Sequence, residues 1–386
     1  MTMEFAVTPD QQELIDAATR FSLERLAPGY AQRERDGRLD RAVLKEMGAL
    51  GFFGIELEER HGGLGLDCVT AGLVLEALCA DDMNLGYVTV NISLIGQILT
   101  MFGRSDVVDP WIRGMVAGAL LPSIGLTEPG GGSDAAALVT QARRDDDEFV
   151  LNGEKTSISL ATQADFCVVF ARTGTRESGA RGISAFLVPL DLPGVTRTAF
   201  ADHGNRSVGR GSLFFDDVRV PVSHLLGDEG MGFVQVMQGF DYSRALLGIQ
   251  CLAVARRSLD ETWAHTTERE AFNKPLSAFQ GVTFPLAEAD TMVSAARLLC
   301  LQTLWLKDRG LPHTAEAAMC KWWGPKLSYD VINTCLLLHG HAGYSADLPY
   351  EQRMRDVLGL QIGDGTAQIM KLVIARQRAG REFVPN

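Results

Sequence analysis

The chain has 386 residues, of which 46% are hydrophobic and 22% are charged, so a globular protein of two or three domains is expected. Its net charge of −12 and its pI near 5.1 argue against nucleic acid or an anionic membrane surface as the main partner. The seven cysteines form neither a C-x-x-C pair nor a Cys/His cluster at zinc spacing, a pattern typical of a reducing compartment.

No targeting or membrane segment is expected from the sequence. The N-terminal residues lack a basic region followed by an apolar core, so no signal peptide is predicted. No uninterrupted run of about 18 apolar residues occurs, so no membrane-spanning segment is predicted either. Together with the cysteine pattern, these features indicate a soluble, cytoplasmic protein.

Residues 1–120 are predicted to form a helical domain. Thr8 and Gln11 match a capping box, with a proline at the first helical position between them. Apolar residues then recur on one helical face: Leu14, Ala18 and Phe21. A glycine-rich loop, HGGLGL, separates this helix from a long apolar segment of helical spacing at 69–102.

Residues 121–230 show short β-rich runs with turns between them, and they are predicted to form a small antiparallel β-domain. The segment EFVLNGEKTSIS (148–159) contains Asn152 followed by glycine, which is the strongest short hairpin signal. Two short strands joined at that turn are therefore expected. The acidic run 145–148 indicates a solvated turn.

From residue 231 the helical periodicity returns, and residues 231–386 are predicted to form a C-terminal helical domain. Its long helical segments are expected near 234–265, 278–308 and 314–340. The order of domains is therefore helical, β and helical, with no internal repeat and no low-complexity linker.

The segment GLTEPGGGSD (125–134) opens the predicted β-domain. Its three consecutive glycines leave backbone N–H groups unshielded, so the chain can approach a flat or anionic ligand closely. A flexible surface loop would show the same composition. A Walker or Rossmann loop is excluded by the glycine spacing and by the lack of a strand-to-helix context.

Five segments together resemble the acyl-CoA dehydrogenase family, in the family's order and over nearly the whole chain. They are TEPGGGSD (127–134), LNGEKTSIS (151–159), VPVSHLLGDEGMGF (220–233), REAFNKPLSAFQ (269–280) and RMRDVLGLQIGDGTAQI (353–369). The corresponding family patterns are T-E-P-x-A-G-S-D, L-N-G-x-K-x-W-I-T, V-P-x-x-x-x-L-G-x-x-G-x-G-F, R-x-x-F-G-K-P-L-x-x-x-Q and R-D-x-x-x-x-x-I-x-E-G-T-x-x-I. The resemblance implies an N-terminal all-α domain, a middle antiparallel β-domain and a C-terminal four-helix-bundle domain, usually assembled as a homotetramer.

The resemblance also implies FAD as the cofactor and a set of residues that hold it. Within the middle domain these residues are Leu126, Thr127, Gly132, Ser133, Ser157 and Ser159, with the Ser159 hydroxyl near the reactive flavin nitrogen. Further along the chain they are Arg269, Phe272, Gln280, Gly340, Thr366 and Gln368. The first three of these would grip the ADP half of FAD in a neighbouring subunit, where an arginine can bind diphosphate oxygens bidentately.

The substrate contacts implied by the resemblance are Ser133, Asp241, Ser243, Arg244 and Gly365. The residues at 241, 243 and 244 match positions at which the family contacts the pantetheine and CoA arm. No metal site is predicted, because the spacing of His339 and His341 does not suit a helical metal pair.

Asp364 stands between two glycines in LQIGDGTAQI (360–369), a setting that alone would indicate a helix cap or a solvated loop. In the family, the carboxylate before Gly-Thr removes the α-proton of the acyl-CoA while the β-hydrogen leaves as hydride to the flavin. The resemblance therefore implies that Asp364 is the general base. Burial against flavin and thioester would raise its pKa, and its backbone N–H would stabilise the thioester oxygen. Some relatives carry the base at the position of Ser243, and a serine cannot take that role.

Two departures from the family pattern bear on the acyl group. Asp364 replaces the usual glutamate and is shorter by about 1.5 Å, and Gly363 replaces an aromatic residue found in many relatives. Both changes predict a wider pocket at the α-carbon, which favours a branched or cyclic acyl group. A subset of the family with aspartate here acts on alicyclic thioesters. The implied reaction converts cyclohexanecarboxyl-CoA to cyclohex-1-ene-1-carboxyl-CoA and passes the electrons to an electron-transferring flavoprotein.

Several alternative functions stay open. The substrate could be a cyclohexene thioester that yields a diene, although Asn91, in the region that could reach the far side of the ring, is not acidic. It could also be a short branched-chain acyl thioester on CoA or on a carrier protein, against which Asp241 and Arg244 argue. A flavin monooxygenase or a non-catalytic flavoprotein on the same fold is a different class, and the carboxylate at 364 counts against the monooxygenase.

Four other positions depart from the family pattern. Ser157 replaces a tryptophan, and Asn273 replaces a glycine with a residue that tolerates left-handed geometry. Leu337 and His341 replace a side-chain amide and a glycine that normally meet the ADP portion of FAD.

Overall fold

The computed structural model describes residues 6–384, and its N-terminal part is helical as expected. The helices are α1 (Pro9–Phe21), α2 (Tyr30–Asp36), α3 (Arg41–Ala49), α4 (Cys68–Cys79), α5 (Met83–Phe102) and α6 (Ser105–Val116). The capping box that begins α1 is confirmed: the Gln11 backbone donates to Thr8 Oγ1 at 3.2 Å, and the Thr8 backbone donates to Gln11 Oε1 at 3.0 Å. Two orphan N–H groups of the first turn are thereby satisfied.

Helix α5 forms the centre of the N-terminal domain. By length and composition alone it could cross a membrane, contrary to the sequence expectation, but most of it is buried against the rest of the protein. A core helix of a soluble protein passes the same test. The seven cysteines are free thiols and all are buried.

The middle of the chain folds into one eight-stranded sheet. Its strands are β1 (Pro122–Gly125), β2 (Gln141–Asp145), β3 (Glu148–Ile158), β4 (Phe166–Arg172), β5 (Ile183–Pro189), β6 (Val195–Ala199), β7 (Gly211–Pro221) and β8 (Leu225–Leu226). The strand order is β6-β7-β3-β2-β4-β5-β8, with β1 paired to β4. Most pairings are antiparallel, as expected, but β1 and β2 both pair with β4 in parallel.

The predicted hairpin at Asn152 is wrong. Strand β3 continues through this point, and the chain reverses instead at the acidic turn between β2 and β3, where Asp145 pairs with Glu148. The register shift beside Gly153 marks a β-bulge. A Cβ at Gly153 would lie 2.7 Å from Thr140 Oγ1, so glycine permits a close approach of chains here.

The C-terminal part is helical again, and the expected order of helical, β and helical domains is confirmed. Its elements are α7 (Gly232–Glu268), β9 (Glu270–Ala271), β10 (Lys274–Pro275), α8 (Gln280–Asp308), α9 (Thr314–Leu338), α10 (His341–Tyr344), α11 (Tyr350–Gly359) and α12 (Ala367–Ala379). Long helices α7, α8 and α9 pack on one another, and α12 packs on α9. The predicted boundaries near 120 and 230 fall in the connections before β1 and before α7.

Asp356 of α11 joins all three parts of the chain. Its buried carboxylate accepts hydrogen bonds from Tyr30 Oη at 2.7 Å, Asn84 Nδ2 at 2.9 Å and the Asn205 backbone at 2.5 Å. Burial outweighs these donors and raises the pKa of Asp356 to about 7. This network fixes the C-terminal segment against both preceding domains.

We expect this carboxyl group to make stability depend on pH. Its folded pKa lies above its unfolded value, so the folded state holds the proton more tightly and stability falls as pH rises towards 7. Relative to Asp356→Asn, the wild type should lose roughly 2–3 kcal/mol of unfolding free energy between pH 5 and pH 8. Thermal midpoints of both proteins at both pH values check this. A difference that stays constant with pH would contradict the assignment.

Candidate active site

The glycine-rich segment before β2 is held against the end of β3 by a buried ion pair. Lys155 Nζ lies 2.5 Å from Glu128 Oε1, and it also donates to the Leu126 carbonyl at 3.3 Å. Burial lowers the pKa of Lys155 to about 8. Thr156 N donates to the Thr127 carbonyl at 2.9 Å. The predicted residues at 126 and 127 are therefore fixed beside the predicted residues on β3.

Glu128 organises the other end of this segment. It accepts hydrogen bonds from the backbones of Val139 at 2.6 Å and Thr140 at 2.9 Å. Burial alone would raise the pKa of Glu128, but the charge of Lys155 and these donors outweigh it and lower the pKa. The ionised carboxylate is thus the anchor of a loop whose glycines face outwards.

The backbone of residues 130–132 is open to a ligand. A Cβ at Gly130 or Gly131 would meet no atom within 4 Å, whereas one at Gly132 would lie 3.2 Å from Thr127 Cγ2. Ser133 is exposed next to these glycines. A loop with free backbone N–H groups beside exposed hydroxyls suits the flat ring and the polar edge of a flavin.

The end of β3 presents two serines in different settings. Ser157 is exposed and has a φ of 58°, within a second register shift between Lys155 and Ile158. Ser159 is half-buried just beyond the strand. The bulge therefore directs the backbone at 157 outwards while 159 faces the interior.

The loop between α11 and α12 carries Asp364. This residue is half-buried and has a φ of 54°, a left-handed conformation that aspartate tolerates better than most residues. Thr366 caps α12 by accepting a hydrogen bond from Ile369 N at 3.4 Å, and Gln368 is exposed in the first turn. The side chain at 364 is thus set by a tight turn immediately before a capped helix.

Lys321 of α9 contacts both ends of the loop that carries Asp364. Its buried Nζ donates to the Leu360 carbonyl at 2.6 Å and to the Gly365 carbonyl at 3.2 Å. Burial lowers the pKa of Lys321 to about 8, while the nearby Asp364 opposes that shift. One ammonium group therefore joins the two ends of the loop that carries the carboxylate.

Arg244 of α7 approaches the same loop from another side. Its Nη1 donates to Asp241 Oδ1 at 3.2 Å, and Asp241 Oδ2 accepts from Thr314 Oγ1 at 2.6 Å. A Cβ at Gly365 would lie 3.8 Å from Arg244 Nη2 and 2.5 Å from Met370 Cε. The predicted substrate residues at 241, 244 and 365 are therefore brought together, and the φ of 104° at residue 365 favours glycine there.

Two polar atoms beside this cluster have no hydrogen-bond partner within residues 6–384. They are Arg244 Nε and Ser243 Oγ, and both are buried. An unpaired buried donor costs free energy unless a ligand or water satisfies it. Ser243 itself is fully buried, so its predicted contact with the CoA arm stays a prediction.

The surroundings of Asp364 raise the pKa of its carboxylate. Burial raises the pKa of Asp364, while the charges of Lys321 and Arg244 work in the opposite direction. Burial also lowers the pKa of Arg244, although Asp241 and Asp364 favour its charged form. The carboxylate can therefore take up and release a proton nearer to neutral pH than an ordinary aspartate.

Two residues near Asp364 were not predicted from the sequence: Lys321, and Tyr87 of α5, which also lies near Ser159. A third, Arg210, immediately precedes β7, lies near Tyr87 and pairs with Asp202 at 2.6 Å. Of the three, only Lys321 had a sequence signal, because it is a lysine within the apolar run AAMCKWWG. The other two residues carry no sequence signal, because long-range pairing alone brings them to the site.

The remaining predicted cofactor residues lie at the other end of α7. Arg269 and Arg244 are 25 residues apart along this helix, which corresponds to about 38 Å. Gln280 begins α8 just beyond Arg269, and Phe272 is 90% exposed. Gly340 is close to this end because its neighbour His339 stacks on His265, with ring centroids 4.1 Å apart.

The predicted cofactor residues therefore do not all lie close together within one chain. The exposed group at 269, 272 and 280 forms a second surface, and the turn there survives the change to Asn273, which has a φ of 59° as expected. A Cβ at Gly340 would meet no atom within 4 Å, so the backbone there is also open. The contact of these residues with a neighbouring subunit stays a prediction.

The fold and the site at the junction of the three parts define the class of an FAD-dependent dehydrogenase of acyl thioesters. The descriptions of the matching family models agree: acyl-CoA dehydrogenase N-terminal domain over residues 8–119, middle domain over 123–218 and C-terminal domain over 230–378. The chain belongs to the acyl-CoA dehydrogenase family, and it is an enzyme that uses FAD.

Known proteins similar to this chain cover almost its full length. A probable acyl-CoA dehydrogenase, YngJ, of Bacillus subtilis (strain 168) is 35% identical over 97% of this chain and 99% of its own. The mitochondrial short-chain specific acyl-CoA dehydrogenase of Mus musculus is 36% identical over 95% and 90%. The structure of butyryl-CoA dehydrogenase from Megasphaera elsdenii is 31% identical, with a TM-score of 0.93 over 97% and 99%.

Proposed function

We propose that this acyl-CoA dehydrogenase acts on a compact alicyclic thioester, converting cyclohexanecarboxyl-CoA to cyclohex-1-ene-1-carboxyl-CoA with Asp364 as the base. The observation that carries the proposal is the position of Asp364, a half-buried carboxylate within electrostatic reach of Lys321 and Arg244, on a loop that Lys321 bonds at both ends. Bound FAD supplies the acceptor for the hydride that leaves the β-carbon.

Asp364 removes the α-proton as a general base. Its raised pKa brings proton uptake nearer to neutral pH, which is the condition under which general-base catalysis is most effective. Its backbone N–H can donate to the thioester oxygen and stabilise the charge that develops there. Lys321 keeps the loop in place while the proton moves to the carboxylate.

Arg244 and Asp241 bind the arm of the substrate that leads away from the thioester. They form a hydrogen-bonded pair that Thr314 extends, and they lie beside the loop that holds the base. The unpaired Arg244 Nε offers a donor for a substrate carbonyl or phosphate. These contacts orient the thioester so that its α-carbon faces Asp364.

The preference for a ring is supported by open space next to the base. A Cβ at Gly363 would meet only the Gly359 carbonyl oxygen at 3.8 Å, an ordinary contact. Packing therefore does not require glycine at 363, and the absent side chain leaves room beside the α-carbon. The shorter carboxylate of Asp364 leaves further room for the bulk of a ring.

The residues that would hold FAD fall on two surfaces. Thr127, Gly132, Ser133 and Ser159 would contact the flavin, with Thr366 and Gln368 beside them at the start of α12. Arg269, Phe272, Gln280 and Gly340 would contact the ADP half in a neighbouring subunit, since they lie at the far end of α7. This separation requires at least two subunits, and the resemblance to the family implies a homotetramer.

An electron-transferring flavoprotein is the proposed acceptor of the electrons. Ser157 is exposed at the end of β3, where the family pattern has a tryptophan. A small residue there would leave the surface beside the flavin site open to a partner.

Anaerobic titration of the purified holoenzyme tests the proposal, with the visible absorbance of the bound flavin as the readout. Cyclohexanecarboxyl-CoA should bleach the flavin promptly and yield a product two hydrogens lighter. Butyryl-CoA should bleach it more slowly. Bleaching by butyryl-CoA alone would keep the enzyme class and overturn the alicyclic substrate, in line with the short-chain specificity named for the mouse relative. Failure of both would direct attention to cyclohexene and carrier-protein thioesters.

Asp364→Glu is the matched control for the pocket. It keeps the carboxylate but extends it by about 1.5 Å, a displacement large enough to change rates by about a hundredfold. We expect it to slow reduction by the cyclic thioester far more than reduction by butyryl-CoA.

A further inference from the structure

Thr314, the first residue of α9, connects this helix to α7. Its Oγ1 donates to Asp241 Oδ2 at 2.6 Å, between residues that are 73 positions apart in the chain. The preceding residue, His313, occupies the cap position and makes no side-chain hydrogen bond to the first turn of α9. The half-buried Thr314 side chain therefore directs its hydroxyl at the neighbouring helix rather than at its own.

The Asp241 carboxylate is held at both of its oxygens. Oδ2 accepts from Thr314, and Oδ1 accepts from Arg244 Nη1 at 3.2 Å. The buried Arg244 guanidinium also lies over the ring of Phe240, with Cζ 5.4 Å from the ring centroid. Its Nη2 would lie 3.8 Å from a Cβ at Gly365, and its buried Nε has no partner within residues 6–384. The bonds that begin at Thr314 therefore end at a guanidinium with a donor free for a ligand.

Helix α9 also holds the loop that carries the base. Lys321, which donates to carbonyls at both ends of that loop, follows Thr314 by seven residues. Seven residues are close to two helical turns, so both side chains lie on one face of α9, about 10.5 Å apart along its axis. One helix face therefore contacts both the residues for the substrate arm and the loop of Asp364.

Two glycines fix the spacing between α7 and α9. A Cβ at Gly324 of α9 would lie 2.9 Å from Gly248 Cα of α7, and a Cβ at Gly248 would lie 3.2 Å from the Cys320 carbonyl oxygen. The two backbones are thus in direct contact, with no side chain between them that could repack. Removal of the Thr314 hydroxyl would therefore leave Asp241 Oδ2 without its donor, because the helices cannot move closer to compensate.

We propose that Thr314 is a positioning residue for substrate binding: through Asp241 it orients the Arg244 guanidinium and so sets how tightly the arm of the acyl-CoA is held. This inference rests on the proposed function and adds a residue to its substrate site. Thr314 acts on affinity, whereas Lys321, two turns further along the same face, acts on the loop that carries the base.

Binding of an acyl-CoA that lacks an α-hydrogen tests the inference without turnover. The probe is 2,2-dimethylbutyryl-CoA, and isothermal titration calorimetry on the oxidised holoenzyme gives its affinity. Thr314→Val keeps the shape of the side chain but removes the donor, and it should weaken binding about tenfold, because the lost hydrogen bond is to a charged group. Thr314→Ser keeps the hydroxyl and should bind the probe as the wild type does.

The rate of flavin reduction provides a second readout. In Thr314→Val, reduction at saturating cyclohexanecarboxyl-CoA should stay within about threefold of the wild-type rate, because the lost contact serves the bound substrate and the transition state alike. A large fall in that rate with unchanged affinity would overturn the inference. Thr314→Ala supplies a second variant without the hydroxyl, should valine impair folding.

A double-mutant cycle shows whether Thr314 acts through Asp241. In an Asp241→Ala background, Thr314→Val should weaken binding of the probe no further, since the acceptor is already gone. Additive losses, or equal losses in Thr314→Val and Thr314→Ser, would overturn the inference. Wild-type flavin that no thioester bleaches, with the binding differences intact, would instead overturn the proposed reaction.

Discussion

Asp364→Ala should leave the protein with bound FAD and abolish reduction of the flavin by acyl-CoA. A positioned general base contributes about 10²–10⁴ to a rate, so we expect a loss of about a thousandfold or more in the rate of anaerobic bleaching. Loss of the carboxylate itself should not destabilise the folded protein, because burial raises its pKa, but alanine tolerates the left-handed φ of 54° less well than aspartate, so a small loss of stability is expected from the backbone. Stopped-flow absorbance measures the rate directly.

Asp364→Asn is the matched control for geometry. It keeps the shape of the side chain and the backbone N–H that faces the thioester, but it cannot accept the α-proton. It should bind the substrate as tightly as the wild type and reduce the flavin as slowly as Asp364→Ala. A wild-type bleaching rate in either variant would remove Asp364 from the role of base.

Lys321→Met should slow flavin reduction by about one to two orders of magnitude, because it releases both ends of the loop that carries Asp364. It should also move the acid limb of the pH–rate profile to higher pH. The reason is that the ammonium lowers the pKa of Asp364, and the base needs the ionised form. Initial rates of bleaching across pH 5–9 would show both effects.

Lys321→Arg separates the two contributions of the lysine. It retains the positive charge but not the geometry, so the acid limb should stay near its wild-type position while the rate still falls. A rate loss in Lys321→Met without any movement of the acid limb would indicate that the lysine acts on loop position alone. A wild-type pH–rate profile in both Lys321→Met and Lys321→Arg would contradict the role of Lys321 at the site.

Much of the fold could be predicted from local sequence. The capping box at Thr8 and the return of helical periodicity after residue 231 fixed element types, because caps and apolar faces are properties of neighbouring residues. The Asn152 hairpin failed for the opposite reason. Asn-Gly favours a turn locally, but pairing of β3 with β2 and β7 on either side keeps the strand continuous, and the glycine becomes a bulge.

The site was predictable only in part. The family pattern pointed to Asp364 and Arg244, and the structure places Arg244 of α7 beside the loop that carries Asp364. It could not reveal Lys321 as the brace of that loop or Tyr87 as its neighbour, since these contacts join residues more than 40 and more than 200 positions apart. Local patterns carry no record of such pairings. The sequence likewise did not predict that the cofactor residues lie on two surfaces, because their separation depends on the length of α7.

The central claim is that Asp364 removes the α-proton of an acyl-CoA thioester, and deuterium exchange tests it most directly. The holoenzyme would be incubated anaerobically with cyclohexanecarboxyl-CoA in deuterated buffer, and the recovered thioester analysed by mass spectrometry. The wild type should introduce one deuterium at the α-carbon, and Asp364→Asn should introduce none. Equal exchange by the two proteins would contradict the account.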